Sequence, residues 1–205
     1  YYWCAIAQNA IGTTFGSIVT FTTVALPTTI TQAASPVTST TATLNSTITP
    51  NGTSTTAWFR YSLTDPTTCN DSFGTRTPVS GGTFVGAGST PSSNAASIAS
   101  LLPGNTYYFC AIAQNTIGTQ LGALLTFTTP PQVPGVTTGA PTILSATTGT
   151  LNGSANPNGA AATAWFRFAT SNPGVCNDAF GTRVPATGGT AIPFGNSPVL
   201  YSQPV

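Results

Sequence analysis

The chain has 205 residues, of which only 3% are charged: four Arg, three Asp and no Lys, Glu or His, for a formal net charge of +1. Soluble domains usually carry about 25% charged residues, so this chain has no basic surface for a nucleic acid, and no apolar run approaches the ~18 residues of a membrane span. Without His, Glu or Lys, a Ser–His–Asp triad, a Ser–Lys dyad and a paired-Glu site are all excluded, and a non-catalytic protein is expected. No Cys-x-x-Cys pair and no His are available, so neither a metal nor a cofactor is expected. The apolar fraction of 40% and the 41 Thr are unlike an acidic disordered tail. So neutral a surface favours association or a covering of sugar.

Taken in chain order, the sequence repeats itself. Tyr1–Thr23 reads YYWCAIAQNAIGTTFGSIVTFTT and returns about 107 residues later at Tyr107–Thr129 as YYFCAIAQNTIGTQLGALLTFTT, with 16 of 23 positions identical. Ala42–Pro78 returns in the same way as Gly149–Pro185. A repeat of this length is domain-sized, larger than a solenoid unit. The stretches TAWFRYSL (56–63), TYYFCAIAQN (106–115) and ALLTFTT (123–129) alternate with period two and are rich in aromatic and β-branched residues, which predicts strands. PNG at 50–52, GG at 81–82, PGN at 103–105 and IGT at 117–119 predict turns. No stretch predicts a helix. The expected fold is all-β: tandem antiparallel β-sandwiches.

The four Cys follow the repeat, Cys4 matching Cys110 and Cys69 matching Cys176. Cys69 and Cys110 share the one complete repeat and are expected to form a disulfide; buried free thiols are the alternative. A bridge implies an oxidising, extracellular setting, at a cell surface or in secreted material. Thr- and Ser-rich stretches with Pro suit O-glycans, and N-x-S/T sequons at Asn45, Asn51, Asn70 and Asn152 are candidate sites for covalent N-glycans.

The element Cys69-Asn70-Asp71-x-Phe73-Gly74-Thr75-Arg76 recurs from Cys176 to Arg183 and holds most of the charge. It reads either as a calcium or ligand loop or as a folded loop whose Asp pairs with Arg76 or Arg60. One carboxylate is few for calcium, which favours the folded loop. Trp58 with Arg60, and Trp165 with Arg167, lie two residues apart on the strand face opposite Phe59 and Phe166. They are candidate interface residues as a cation–π pair or a subunit anchor; local packing beneath the loop is the alternative.

The run Leu101-x-Pro103-x-x-x-Tyr107-x-Phe109-x-Ala111-x-Ala113-x-Asn115-x-x-Gly118, followed by Leu125-x-Phe127-x-Thr129, resembles the F and G strands of fibronectin type III domains. ATLN, NPNG and AWFRF resemble the B and C strands of microbial members of that family. The resemblance implies that Tyr107, Phe109, Ala111 and Ala113 point inward. Tyr108, Cys110 and Ile112 then point outward, so a bridge to Cys69 would staple a loop across the outer face. It also sets the expected domains: residues 1–24 as an F–G hairpin, 25–130 as a complete domain, and 131–205 as a linker with strands A to about E of a further domain. The two incomplete pieces are expected to be completed by the neighbouring repeat or subunit, placing Cys4 beside Cys176. The expected function is structural: a surface fibre, stalk or sheath whose partners are copies of itself, head to tail in a filament. An adhesin or carbohydrate-associated spacer of a secreted protein is the alternative.

Overall fold

The computed structural model describes residues 1–143 and 145–205. Among them the regular elements are all strands. The chain divides into two compact units, one of Tyr1–Ser35, Thr43–Ile98 and Tyr107–Phe127, the other of Pro36–Ala42, Ala99–Thr106 and Thr128–Val205.

In the first unit the Ala42–Thr49 strand alternates buried and half-buried residues along its whole length, as a strand with one face on a core must. It lies between Thr28–Gln32 and Ser92–Ile98 in a three-stranded sheet. A second sheet is built on the antiparallel pair Thr55–Ser62 and Thr106–Gln114, with Ala57 opposite Ala113 and Arg60 opposite Cys110. Thr75–Thr77 and Thr83–Gly86 pair with the first of these strands, and Thr119–Leu121 and Leu125–Thr128 with the second. Ile48 of the three-stranded sheet packs against Ala57 and Ala113 of the other, so the sheets share one core as an antiparallel β-sandwich. Phe127 closes that core, stacked 5.4 Å from Tyr107 and edge-on 5.7 Å from Phe109. The predicted turn at 50–52 places Asn51 and Gly52 at φ of 57° and 93°, a region Asn and Gly tolerate best.

Tyr107, Phe109, Ala111 and Ala113 are buried, as an inward face should be. Cys110 and Ile112 on the opposite face are fully buried as well. The loop after Ser62 covers that outer face with Cys69 and Phe73, and the Cys69–Cys110 bridge holds it there.

The same unit contains the N-terminal hairpin, in which Tyr2–Trp3 pairs with Val19–Thr20 and Ile6–Gln8 with Thr13–Phe15. It reproduces the geometry of its copy. Ile6 faces Phe15 as Ile112 faces Leu121. Tyr1 stacks on Phe21 at 5.0 Å as Tyr107 stacks on Phe127. Asn9 Oδ1 accepts from the amides of Ile11 and Gly12 at 2.9 and 3.1 Å, and Asn115 Oδ1 from those of Ile117 and Gly118 at 2.9 and 3.2 Å.

In the second unit the Gly149–Asn156 strand pairs with Gly135–Thr138, Thr142–Ile143 and Val199–Pro204. Ala162–Ala164 pairs with Thr190–Ile192, and Phe166–Phe168 with Thr182–Val184. Gly135 faces Asn156 as Thr28 faces Thr49, and Phe166 faces Val184 as Phe59 faces Thr77. A small core of Ala155, Ala164, Ile192 and Tyr201 forms between them. One exchange within the repeat is compensated. Buried Ser46 accepts a hydrogen bond from Asn94 Nδ2 at 3.3 Å, whereas Gly153 and Tyr201 stand at the matching positions. The Tyr201 ring packs 4.8 Å from Phe166, and a Cβ on Gly153 would crowd both rings at 3.2 Å. Losing the side chain at 153 makes room for the phenol, whose burial raises its pKa above the ordinary 10.0.

Candidate functional site

The charged element of the complete repeat folds around Asp71. Alternation on the Thr55–Ser62 strand puts Trp58 and Arg60 on one face, opposite the core side chain Phe59. The loop that follows turns back over them, its path set by Asn70. Asn70 Oδ1 accepts from the amides of Ser72 and Phe73 at 2.9 and 3.1 Å, the local bonding that makes Asn a turn residue. Asp71 Oδ1 then receives Trp58 Nε1 at 2.8 Å and Arg60 Nε at 2.9 Å. Arg60 also donates through Nη1 to the Phe73 carbonyl at 3.4 Å. The guanidinium over Trp58 belongs to Arg76, 4.4 Å from the ring centroid, and not to Arg60. Arg76 is held there by donating to Pro78 O at 2.8 Å and to Gly81 O. A disulfide joins Cys69 to Cys110, with Cα atoms 6.0 Å apart, and fastens the loop to the next strand. Trp58 is only 4% exposed.

Burial pushes the Asp71 carboxyl up, but hydrogen bonds from Arg60 and Trp58 and the charges of Arg60 and Arg76 outweigh it and hold the pKa below the ordinary 3.8. A lowered native pKa gives stability that is present above the unfolded value and lost as pH falls through the native one. Thermal midpoints followed from about pH 5 down to about pH 2 are therefore expected to fall more steeply for the native chain than for Asp71→Asn. The difference amounts to no more than about 1 kcal/mol, because the Asp71 side chain is 45% exposed and screened. Parallel curves would show that the pair adds nothing.

The second unit carries the same constellation. Asp178 Oδ1 receives Trp165 Nε1 at 2.9 Å and Arg167 Nε at 2.7 Å, and Arg183 lies 4.6 Å over the Trp165 ring. The hydrogen bonds from Arg167 and Trp165 lower the Asp178 pKa. The surroundings differ. Trp165 is 38% exposed, and Cys176 is an exposed free thiol, as is Cys4. A pocket of about 280 Å³ opens beside Trp165, Arg167, Cys176 and Asp178. A second pocket of about 280 Å³ opens on the core side, against Ala155, Ala164 and Tyr201.

Of the candidate interface residues, Trp58 is therefore covered, Arg60 and Arg167 are tied to carboxylates, and Trp165 presents part of its ring. The sequon asparagines are engaged in the fold. Asn45 Nδ2 donates to Ala33 O and Ser35 O at 3.1 and 3.2 Å, Asn51 Nδ2 to Leu26 O at 2.7 Å, and Asn152 Nδ2 to Ala140 O at 2.9 Å. Asn70 Nδ2 makes a 3.2 Å bond to Thr68 O in its own loop. Asp65 accepts from the Thr67 amide at 2.7 Å, so each of the three carboxylates has a partner. Among the described residues no group of three or more His, Cys, Asp or Glu is placed to hold a metal ion. The arrangement can hold a loop and cover an aromatic ring. Sequence reasoning missed Arg76 and Arg183 as the cations over the rings, and Phe73 as part of the cover. The repeated Phe-Gly-Thr-Arg segment was the available signal. No family model matches the chain, and no curated protein matches it.

Proposed function

We propose that this chain is a non-catalytic structural repeat protein of fibronectin type III-like β-sandwiches, serving in an extracellular fibre, stalk or sheath. The observation that carries the reading is the shared register. The 6–8 with 13–15 pairing of the hairpin repeats that of 112–114 with 119–121, and the 135–138 with 153–156 pairing repeats that of 28–31 with 46–49, which supports a chain built from copies of one sandwich plan. The disulfide supports an oxidising compartment, and the near-absence of charge supports a surface that associates. In the complete repeat the aromatic side chain offered for binding, Trp58, lies under its own loop, which supports a structural role over a sugar-binding platform. The part-exposed Trp165 is the feature on which an adhesin or carbohydrate-associated spacer would rest.

Electron microscopy of the purified protein tests the reading. Filaments with an axial rise of roughly 35 Å per sandwich are expected, from strands of about eight residues at about 3.3 Å each plus their loops. Dispersed particles at high concentration, together with quenching of Trp165 fluorescence by oligosaccharides, would replace the fibre with the binding module.

A further inference from the structure

We infer that Asn70 carries a covalent N-linked glycan, and that the sequons at Asn45, Asn51 and Asn152 stay bare in the folded chain. The inference rests on the extracellular setting of the proposed function and adds a modification to one loop.

An N-glycan replaces one hydrogen of an asparagine side-chain amide. That amide has two hydrogens to donate, so the bonds made by Nδ2 decide which sequon the fold can spare. All four sequon asparagines are half-buried, and exposure does not separate them. Asn45 Nδ2 donates to Ala33 O, Ser35 O and Thr43 O at 3.1, 3.2 and 3.4 Å. Asn51 Nδ2 donates to Leu26 O at 2.7 Å and Thr28 Oγ1 at 3.2 Å. Asn152 Nδ2 donates to Ala140 O at 2.9 Å and Thr142 Oγ1 at 3.2 Å. Each of these three amides reaches two or more acceptors, and a sugar would take a hydrogen already in use. Asn70 Nδ2 makes a single bond among the described residues, to Thr68 O at 3.2 Å, and has a second hydrogen to give up.

The repeat shows what each amide is for. Asn158 matches Asn51 and donates to Val133 O at 2.8 Å as Asn51 donates to Leu26 O, although Asn158-Gly159-Ala160 is no sequon. Asn152 repeats the bond of Asn45, to Ala140 O in place of Ala33 O. These amides tie neighbouring segments together. At Asn70 the recurring bond is on the oxygen instead. Asn177 Oδ1 accepts from the Ala179 amide at 2.8 Å as Asn70 Oδ1 accepts from the Ser72 amide at 2.9 Å, and glycosylation leaves that oxygen in place. The turn forms at Asn177 with no hydroxyl two residues on, so the turn does not require the Ser72 hydroxyl that completes the acceptor pattern. Thr68, Asp71 and Ser72 are exposed, so the attachment point has solvent beside it. A glycan there would hydrate a surface that is only 3% charged.

Attachment requires a sugar donor activated through a phosphate ester and a transferase to join the two. Asn70 Nδ2 bonds to the anomeric carbon of the sugar, and the bond from that carbon to the phosphate oxygen breaks. The phosphate carrier leaves with the electron pair, and one Nδ2 proton passes to a base of the transferase. Nothing is oxidised or reduced.

The test uses the protein isolated from its native source, digested with trypsin and treated with an N-glycan-releasing amidase in heavy-oxygen water. The amidase turns a glycosylated Asn into Asp carrying one heavy oxygen, counted above an amidase-free control. Cleavage after Arg60, Arg76, Arg167 and Arg183 puts Asn45 and Asn51 in peptide 1–60, Asn70 in 61–76, Asn152 in 77–167 and Asn177 in 168–183. Label is expected in 61–76, at Asn70, and in none of the others. An unlabelled Asn70, or label at Asn45, Asn51 or Asn152, overturns the inference. Two variants made through the secretory route of a glycosylating host complete the test. Ser72→Ala should abolish the label while the 61–76/77–167 disulfide link of Cys69 and Cys110 persists, because the matching turn already forms with Ala179. Ala179→Ser, which completes the same pattern at Asn177, should add label to 168–183. Label that survives Ser72→Ala, or that fails to appear with Ala179→Ser, also overturns the inference. An unlabelled chain with Cys69 linked to Cys110 would remove only the glycan; alkylatable Cys69 and Cys110 in the native material would remove the extracellular setting itself.

Discussion

Trp58→Ala is expected to destabilise the complete repeat by about 3–5 kcal/mol, the cost of removing a large buried aromatic side chain. Three losses combine. The indole is 4% exposed and packs with Cys110, Ile112, Cys69 and Phe73. Its Nε1 donates to Asp71, so truncation leaves that carboxylate with Arg60 alone. Arg76 loses the ring beneath its guanidinium, a contact that contributes about 0.5–2 kcal/mol. The matching change, Trp165→Ala, should cost clearly less in the unassembled chain. That ring is 38% exposed and has neither a Cys110 nor an Ile112 counterpart against it. Urea unfolding of both variants at low protein concentration measures the contrast. Equal penalties at the two positions would mean that the difference in exposure carries no energy.

Reduction of the Cys69–Cys110 bridge, or its removal by Cys69→Ser with Cys110→Ser, should lower stability by roughly 3–4 kcal/mol in the chain-entropy account. The bridge closes a separation of 41 residues, and that loop carries Asn70, Asp71 and Phe73. Once it is released, the outer face of Cys110, Ile112 and Trp58 is held by the Asp71 hydrogen bonds and loop packing alone. Calorimetry with and without reductant reads the loss directly. An unchanged midpoint would show that packing of Phe73 and the Arg60–Asp71 pair already hold the loop in place.

Much of this was legible in one dimension. Strand positions followed from period-two alternation: TAWFRYSL predicted 56–63 and the strand is Thr55–Ser62, while TYYFCAIAQN predicted 106–115 and the strand is Thr106–Gln114. The Pro-Asn-Gly turn was readable because Asn and Gly are the residues that tolerate positive φ. Alternation says which side chains share a face but not how completely it is covered. Cys110 and Ile112 were expected on the outer face beneath a stapled loop, and Cys69 and Phe73 of that loop bury them fully. The same limit applied to the charges. The sequence favoured a folded loop in which Asp71 pairs with an Arg, and left Arg60 and Arg76 as equals. Strand pairing sets Arg60 opposite Arg76, and their side chains divide, one to the carboxylate and one to the ring. Sequons are legible by pattern alone, so the pattern could not show that Asn45 and Asn152 donate to backbone carbonyls of the preceding segment.

By itself the sequence determined the all-β character, the internal sequence repeat, the matched cysteines and the scarcity of His, Glu and Lys, because these reside in local pattern and composition. The tertiary structure decided which surfaces are finished. Trp58 and Trp165 have nearly the same neighbours in sequence, and Asp71 and Asp178 bind their indoles in the same way. One ring is buried and the other is part exposed because burial depends on a strand 50 residues away along the chain, Thr106–Gln114, being present against the first. Exposure is a property of contacts between distant segments, which is why two rings in nearly the same sequence differ from 4% to 38% exposed.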